Sequence, residues 1–353
     1  MPLPRLRLWP TLPPGVYLRR PRDPLPFPLD RPGASLWARG RHALWSGMKA
    51  LGLGPGDEIL VPAYHCGAEV EALAAAGLTC RFFEATATLE PDEAELERSL
   101  GESVRALLLI HYFGFPQDGA RWWSWCRARG LLLIEDCAHA ALATRNGRPV
   151  GADGDLAIFS FRKTLPLPEG GAAVGPRSLS APGGPAAHPG ALLKSHTRWA
   201  MTRAARLDRA LAPRERQADG GFDLGDVRSA SRATGFLLSR LATPDVAQRR
   251  RDAYSRILAA SGGRAPGPFA ELPMEACPLF FPLETRGDAD TIAAGMREEG
   301  IDARPFWPRL HPLLDASSFP GAVAWHRRFL ALPCHQDLDD ADLDRIEKAV
   351  ACV

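Results

Sequence analysis

Three short stretches carry side chains whose types and order could do chemistry. In Leu133-Ile134-Glu135-Asp136-Cys137-Ala138-His139-Ala140 an apolar strand delivers a carboxylate at its carboxyl end and a histidine just beyond it. In Asp155-Leu156-Ala157-Ile158-Phe159-Ser160-Phe161-Arg162-Lys163-Thr164 a second apolar strand ends in a hydroxyl, a guanidinium and an amine. In Gly40-Arg41-His42-Ala43-Leu44 a glycine enters a helix, whose first turn offers free backbone N–H groups and the positive end of a dipole, an arrangement that suits a phosphate. An amine can hold an aldehyde as a Schiff base and then shuttle a proton, and a carboxylate can keep a ring nitrogen protonated. With an anion cradle added, these are the groups that pyridoxal 5'-phosphate needs from a protein.

On that reading Lys163 holds the cofactor, Asp136 faces the pyridine nitrogen, His139 lies against the ring or its phenolic oxygen, and Gly40, Arg41, His42, Ser160 and Arg162 surround the phosphate. Each assignment has an ordinary alternative. An aspartate after a strand often caps the next helix, a histidine there is often a satisfied core residue, a glycine before a helix can be a simple turn, and Ser160 and Arg162 could merely stabilise a loop. The lysine is less ambiguous. The chain has only Lys49, Lys163, Lys194 and Lys348, and of these only Lys163 stands at the end of an apolar strand.

The elements that must position these residues follow from periodicity. Apolar runs at Glu58–Val61, Thr79–Phe83, Ala106–Ile110, Leu131–Ile134, Leu156–Phe161 and Gly171–Val174 read as buried strands, and they alternate with helical stretches at Arg41–Leu51, Ala68–Ala76, Asp92–Leu100 and Gly119–Arg129. Such alternation predicts an α/β fold with a largely parallel sheet between helices, and ligands in such sheets sit beyond the carboxyl ends of the strands. Residues 1–34 are Pro-rich and read as an extended arm on the body or on a partner subunit, residues 35–240 as a large domain, and residues 241–353 as a smaller α+β domain. Leu224 to Leu258 reads as helical with a break near Pro244, and Asp288–Glu299 and Asp340–Val350 as later helices. The Pro/Gly/Ala-rich and Arg-rich stretch from Pro176 to Gly221 reads as surface structure with one or two helices.

Composition narrows the partners. A formal charge of +2 without a basic, aromatic-interleaved run gives no support for nucleic acid or an anionic membrane, which leaves a small molecule as the expected ligand. Prolines interrupt the first residues and no apolar stretch approaches a bilayer span, so a soluble, cytoplasmic protein is expected. Seven cysteines with no C-x-x-C pair predict neither a disulfide framework nor a metal site.

Together with these motifs, Gly52-Leu53-Gly54-Pro55-Gly56-Asp57-Glu58-Ile59-Leu60-Val61-Pro62-Ala63-Tyr64, Gly147-Arg148-Pro149-Val150-Gly151, Gly170-Gly171, Pro308-Arg309-Leu310-His311-Pro312 and Leu332-Pro333-Cys334-His335 stand in an order that resembles the DegT/DnrJ/EryC1/StrS sugar aminotransferases over about residues 35–350. The resemblance implies the aspartate-aminotransferase fold (fold type I), a PLP-dependent transfer of an amino group from an amino acid such as glutamate to a keto-sugar or cyclitol through a Lys163 internal aldimine, and a homodimer. It also implies an aromatic over the pyridine ring; this register brings Cys66 there, with Tyr64 and His65 beside it as the candidates for covering the ring. The chain departs from the family at several points. Arg39-Gly40-Arg41 replaces a Ser-Gly-Thr, Lys163 follows Ser160 more closely than the family lysine does, and the only asparagine is Asn146, so the asparagine that family partners lend to the phosphate has no counterpart. Arg228 or Arg232 could substitute for it. These departures leave two other readings open, a PLP enzyme of another reaction (dehydration, decarboxylation or cyclisation) and a non-catalytic homologue.

Overall fold

The structure, a computed structural model, describes residues 4–175, 179, 189–203, 222–326 and 328–353. From Ser35 to Val174 strands and helices alternate: β1 (Ser35–Trp37), α1 (Gly40–Leu51), β2 (Glu58–Pro62), α2 (Ala68–Ala75), β3 (Thr79–Phe83), α3 (Glu93–Arg98), β4 (Val104–Ile110), α4 (Gly119–Arg127), β5 (Leu132–Cys137), the small hairpin β6 (Thr144–Arg145) and β7 (Arg148–Pro149), β8 (Leu156–Ser160), the short α5 (Phe161–Thr164) and β9 (Gly171–Val174). Seven strands form one sheet in the order β1-β9-β8-β5-β4-β2-β3. β2, β4, β5 and β8 and the edge strand β3 run parallel, and the inner four are mostly apolar. They read as continuous apolar runs because helices cover both faces, and Leu133, Ile134, Leu60 and Val61 are fully buried.

β3 lies on one side of β2 and β4 on the other, so strand order reverses beside β2, the place where sheets of this kind hold their ligands. β9 runs antiparallel to β8, and the edge strand β1 runs antiparallel to β9. The loop from Phe161 to Gly170 is too short for a crossover helix, so the chain must turn straight back. α1 lies close to the sheet because Gly47 has no side chain; a Cβ there would stand 2.4 Å from Leu156 Cδ2. Gly52, at φ 78°, ends α1 in the left-handed conformation that glycine tolerates.

The rest of the chain packs across the carboxyl edge of this sheet. α6 (Pro189–Arg203) lies within the stretch 176–221, whose other residues apart from Leu179 fall outside the described ones. α7 (Arg232–Leu241) and α8 (Val246–Ala260) are separated at Pro244, as expected of a residue that cannot continue a helix. A small antiparallel sheet follows, ordered β10 (Phe281–Glu284), β12 (Phe329–Leu332), β11 (Arg304–Pro305), with helices α9 (Ala289–Glu298), α10 (Pro320–His326) and α11 (Asp340–Ala351). The N-terminal arm packs on the chain's own body. Leu6 bridges Ile301, the Leu8 amide donates to Asp302 at 3.2 Å, and the Arg22 guanidinium donates to the Ala242 carbonyl at 2.9 Å. Among the described residues no helix is long and apolar enough to cross a membrane.

Candidate active site

Asp136 closes β5 and is buried. Its Oδ1 accepts the Ala138 N–H at 2.8 Å, and no hydrogen bond among the described residues reaches Oδ2. Burial first, and then the Glu69 carboxylate, push the Asp136 carboxyl up to about 6, against the pull of Lys163, the Ala138 amide and His111. This carboxyl is therefore ready to ionise fully beside an added positive charge.

The neighbouring Glu135 has a structural task. Its oxygens accept the N–H groups of Gly151 at 3.2 Å, Asp153 at 3.1 Å and Gly154 at 2.5 Å, which pins the loop between β7 and β8 under β5. His111 Nδ1 accepts the Gln117 N–H at 3.0 Å, so its proton sits on Nε2 and is donated to Glu135 at 3.0 Å. His111, Glu135 and Cys137 lie close enough together to suggest a metal site. With both imidazole nitrogens engaged, however, His111 has no lone pair to offer an ion.

Lys163 rides on α5 directly after β8 and is half-buried. Its positive charge favours ionisation of the Asp136 carboxyl and opposes protonation of His139. The fully buried Arg250 of α8 anchors this segment by donating to the Thr164 carbonyl at 2.6 Å, with Gln336 on the same oxygen at 3.3 Å. His139 is buried against Phe113 and Trp307, with ring centroids 5.6 Å and 5.2 Å away. Burial, then Lys163, push it well below the ordinary histidine range, so the ring is neutral.

The N-terminus of α1 meets the end of β8. A Cβ on Gly40 would lie 3.2 Å from the Phe159 carbonyl and 3.6 Å from Ser160 Cβ, and any side chain on Gly171 would run into the Arg39 carbonyl and the Gly40 nitrogen. Two glycines thus let three backbone segments converge beside Ser160. Cations crowd this point. His42 is brought down to about 4 by burial and then by Arg39, Arg41 and Arg228. Arg162, an exposed residue, is brought down to about 10 by the protein packed around it and then by Arg39, Arg41 and Arg198. Glu169 offsets part of this charge through its ion pair with Arg228.

After β2 the chain passes through Tyr64, His65 and Cys66. Tyr64 is fully buried, stacked on Tyr112 at 5.7 Å and beside Trp307 at 5.1 Å. His65 stacks on Phe82 at 5.5 Å, and its Nδ1 accepts the Gly67 N–H at 2.9 Å. Cys66 remains accessible, and both its N–H and its thiol donate to Glu69, at 3.1 and 2.7 Å. Of the residues singled out in the sequence, Asp136 and Lys163 stand at the carboxyl ends of the neighbouring parallel strands β5 and β8, with His139 just after β5, and Gly40 at the start of α1 approaches Ser160, while Tyr64 and His65 pack against other rings.

Glu69 and Trp307 went unread in the sequence. Glu69 had a signal, because it shares a helical stripe with the buried Ala72, Leu73 and Ala76, where an acid is out of place. Trp307, at φ 50°, had none.

The sequence profile of the DegT/DnrJ/EryC1/StrS aminotransferase family matches residues 36–177 and 237–351. The chain belongs to that family. It is an aminotransferase of this group, with the α/β fold of its solved relatives. It is 31% identical over 333 residues to the dTDP-4-dehydro-2,3,6-trideoxy-D-glucose 4-aminotransferase of Saccharopolyspora spinosa, covering 88% of this chain and 83% of the relative. Among solved structures it is similar to the aminotransferase TlmJ of Streptoalloteichus hindustanus, with TM-score 0.67 and 24% identity over 91% of this chain and 85% of that one. It is also similar in fold to the Streptococcus pneumoniae protein Spr1654 in its PLP form, with TM-score 0.66 and 21% identity over 90% and 86% of the two chains.

Proposed function

We propose that this aminotransferase uses pyridoxal 5'-phosphate, held by Lys163, to move the amino group of a donor such as glutamate onto the carbonyl of a keto-sugar, cyclitol or related intermediate. One observation carries the reading: a lysine amine, a buried carboxylate with an unengaged oxygen and a cation-rich helix N-terminus converge at the carboxyl edge of one sheet. The residues fit the cofactor on three counts. Asp136 suits a protonated ring nitrogen, Gly40 and Gly171 let the start of α1 come close against the ends of β8 and β9, and Ser160 brings a buried hydroxyl to that point. The PLP form of the Streptococcus pneumoniae relative supports the choice of cofactor, and the dehydro-sugar in the name of the Saccharopolyspora spinosa relative supports a sugar acceptor.

When bound, the cofactor supplies an aldehyde that exchanges amines and a ring that takes up electrons from the substrate carbon. Lys163 Nζ takes the proton from that carbon and returns it. Asp136 would keep its charge against the ring nitrogen, and the neutral, buried His139 would help to orient the ring. The amides of the α1 first turn, Ser160 Oγ and the guanidinium groups of Arg41 and Arg162 hold the phosphate, a task for which planar, permanently charged groups are well suited. We propose that the protein acts as a homodimer in the cytoplasm. A dimer is in keeping with the apolar side chains of Tyr17, Leu18 and Phe236, which remain exposed where the arm meets α7.

The test is the half-reaction. The purified protein loaded with cofactor and given glutamate without an acceptor is expected to turn its cofactor into pyridoxamine 5'-phosphate and to release an equal amount of 2-oxoglutarate, both read by mass spectrometry. Cofactor that stays in the aldehyde form with every amino donor would replace transamination by another reaction, and a protein that takes up no cofactor would be a non-catalytic homologue.

A further inference from the structure

Arg250 stands in the middle of the run Arg249-Arg250-Arg251 on α8, and it alone of the three is fully buried. A guanidinium group taken out of water is costly unless its N–H groups are met. Among the described residues every acceptor that meets this one is neutral. Nε donates to Gln336 Oε1 at 2.8 Å, Nη1 to the Pro278 and Leu279 carbonyls at 2.8 and 3.1 Å, and Nη2 to the Thr164 carbonyl at 2.6 Å. These acceptors come from the turn that follows β8, the segment that enters β10 and the turn that follows β12. Held by dipoles rather than by a carboxylate, the group acts through its geometry, since a planar fork fixes the directions of all the acceptors it joins.

The turn after β8 needs such support. α5, which carries Lys163, is a single turn of four residues closed by the Leu165 N–H on the Phe161 carbonyl at 2.7 Å, and one turn fixes several residues for one hydrogen bond. The chain continues Leu165-Pro166-Leu167-Pro168, where two prolines remove N–H groups that could have met the last carbonyls of the turn. The Thr164 carbonyl, one peptide beyond Lys163, is met from outside instead, by Arg250 and by Gln336 Nε2 at 3.3 Å. Because Gln336 also accepts from Arg250, the three residues close a ring of hydrogen bonds beside the lysine. The segment entering β10 extends this frame to the loop after β4. The Cys277 and Leu279 N–H groups donate to the Gly114 and Phe113 carbonyls at 2.9 and 2.8 Å, and the Phe113 ring stacks on His139.

We infer that Arg250 is a positioning residue for Lys163: by fixing the Thr164 carbonyl against the segments around β10 and β12, it sets the place and direction from which the amine reaches the cofactor. The inference rests on the reading that Lys163 is the working amine. Arg250 acts through the main chain and touches no substrate.

Arg250→Lys tests it, since one ammonium group replaces the fork and cannot span all of these acceptors. In the cofactor-free variant the amides of residues 161–170 are expected to exchange with deuterium about tenfold faster or more, while peptides from β4 and β5 keep the parent's rates. In the loaded variant kcat with glutamate is expected to fall about tenfold to a hundredfold, the scale of a misplaced reacting group, with the donor KM and the noncovalent affinity for cofactor within about threefold of the parent's. A general loosening would speed exchange throughout and weaken cofactor binding along with turnover. That pattern would overturn the inference, as would exchange of residues 161–170 at the parent's rate in a folded variant, or an unchanged kcat in a variant whose turn has loosened. Gln336→Leu leaves Arg250 in place but opens the ring; it is expected to give the same pattern at a smaller size and decides the matter should the lysine variant not fold. Exchange is read without cofactor, so a failure of the proposed function stays separate: it would show in the parent, as cofactor that Lys163 does not hold.

Discussion

Replacing Lys163 by alanine is expected to lower amino transfer from glutamate by about four orders of magnitude or more, the scale seen when the one group that both bonds to and exchanges protons with a substrate is removed. No other lysine can take over. Lys49 sits near the far end of α1 and donates to the Ala76 carbonyl at 3.3 Å, Lys194 lies on α6 and lines a groove between that helix and Arg7 of the arm, and Lys348 lies in the last turn of α11. The Gly40 cradle, Ser160 and the guanidinium groups do not depend on the Lys163 side chain. The variant is therefore expected to retain noncovalent affinity for the cofactor while losing turnover. The measurement is steady-state transamination alongside a melting curve and a cofactor-binding titration. Turnover within tenfold of the parent would assign the amine elsewhere.

Asp136→Asn has the second-largest expected effect, about a hundredfold to ten-thousandfold in turnover, because the asparagine amide can still sit at the end of β5 but carries no charge to keep a ring nitrogen protonated. The same substitution should change how cofactor affinity depends on pH. In the parent the free carboxyl titrates near 6. Pairing with a protonated ring nitrogen lowers that value, so binding below it must drive a proton off. Affinity is therefore full above about pH 6 and falls by up to tenfold per unit as the pH drops below it. The asparagine variant has no such proton to lose, and its affinity should be lower and should depend less steeply on pH in this range. Fluorescence titration of the cofactor between about pH 5 and pH 8 checks both. A parent curve that does not bend near 6 would remove Asp136 from the ring nitrogen.

Asp136 and Lys163 were legible in the sequence because each is a polar group placed where an apolar strand stops, and a parallel sheet brings all such ends to one edge. The elements carrying them were legible for the same reason, since a strand buried on both faces reads as an unbroken apolar run. The direction of β9 was not, because it depends on the length of the loop before it rather than on any property of Gly171–Val174. Glu169 and Arg228 form an ion pair that no local pattern announces, since only the approach of β9 to the segment before α7 brings them together. The ring contacts of Tyr64 and His65 belong to the same class. Their neighbours Tyr112, Trp307 and Phe82 come from other strands and loops, and period alone does not say which of three successive residues after β2 turns outward. Glu69 is an intermediate case, visible as an acid on a buried stripe but easily taken for the favourable carboxylate at the start of any helix.

Borohydride reduction of the cofactor-loaded protein followed by peptide mapping reads out which amine holds the cofactor. A pyridoxyl phosphate group is expected on the peptide containing Lys163 and on no other. The same group on a peptide containing Lys49, Lys194 or Lys348, or no fixed cofactor at all, would contradict that assignment.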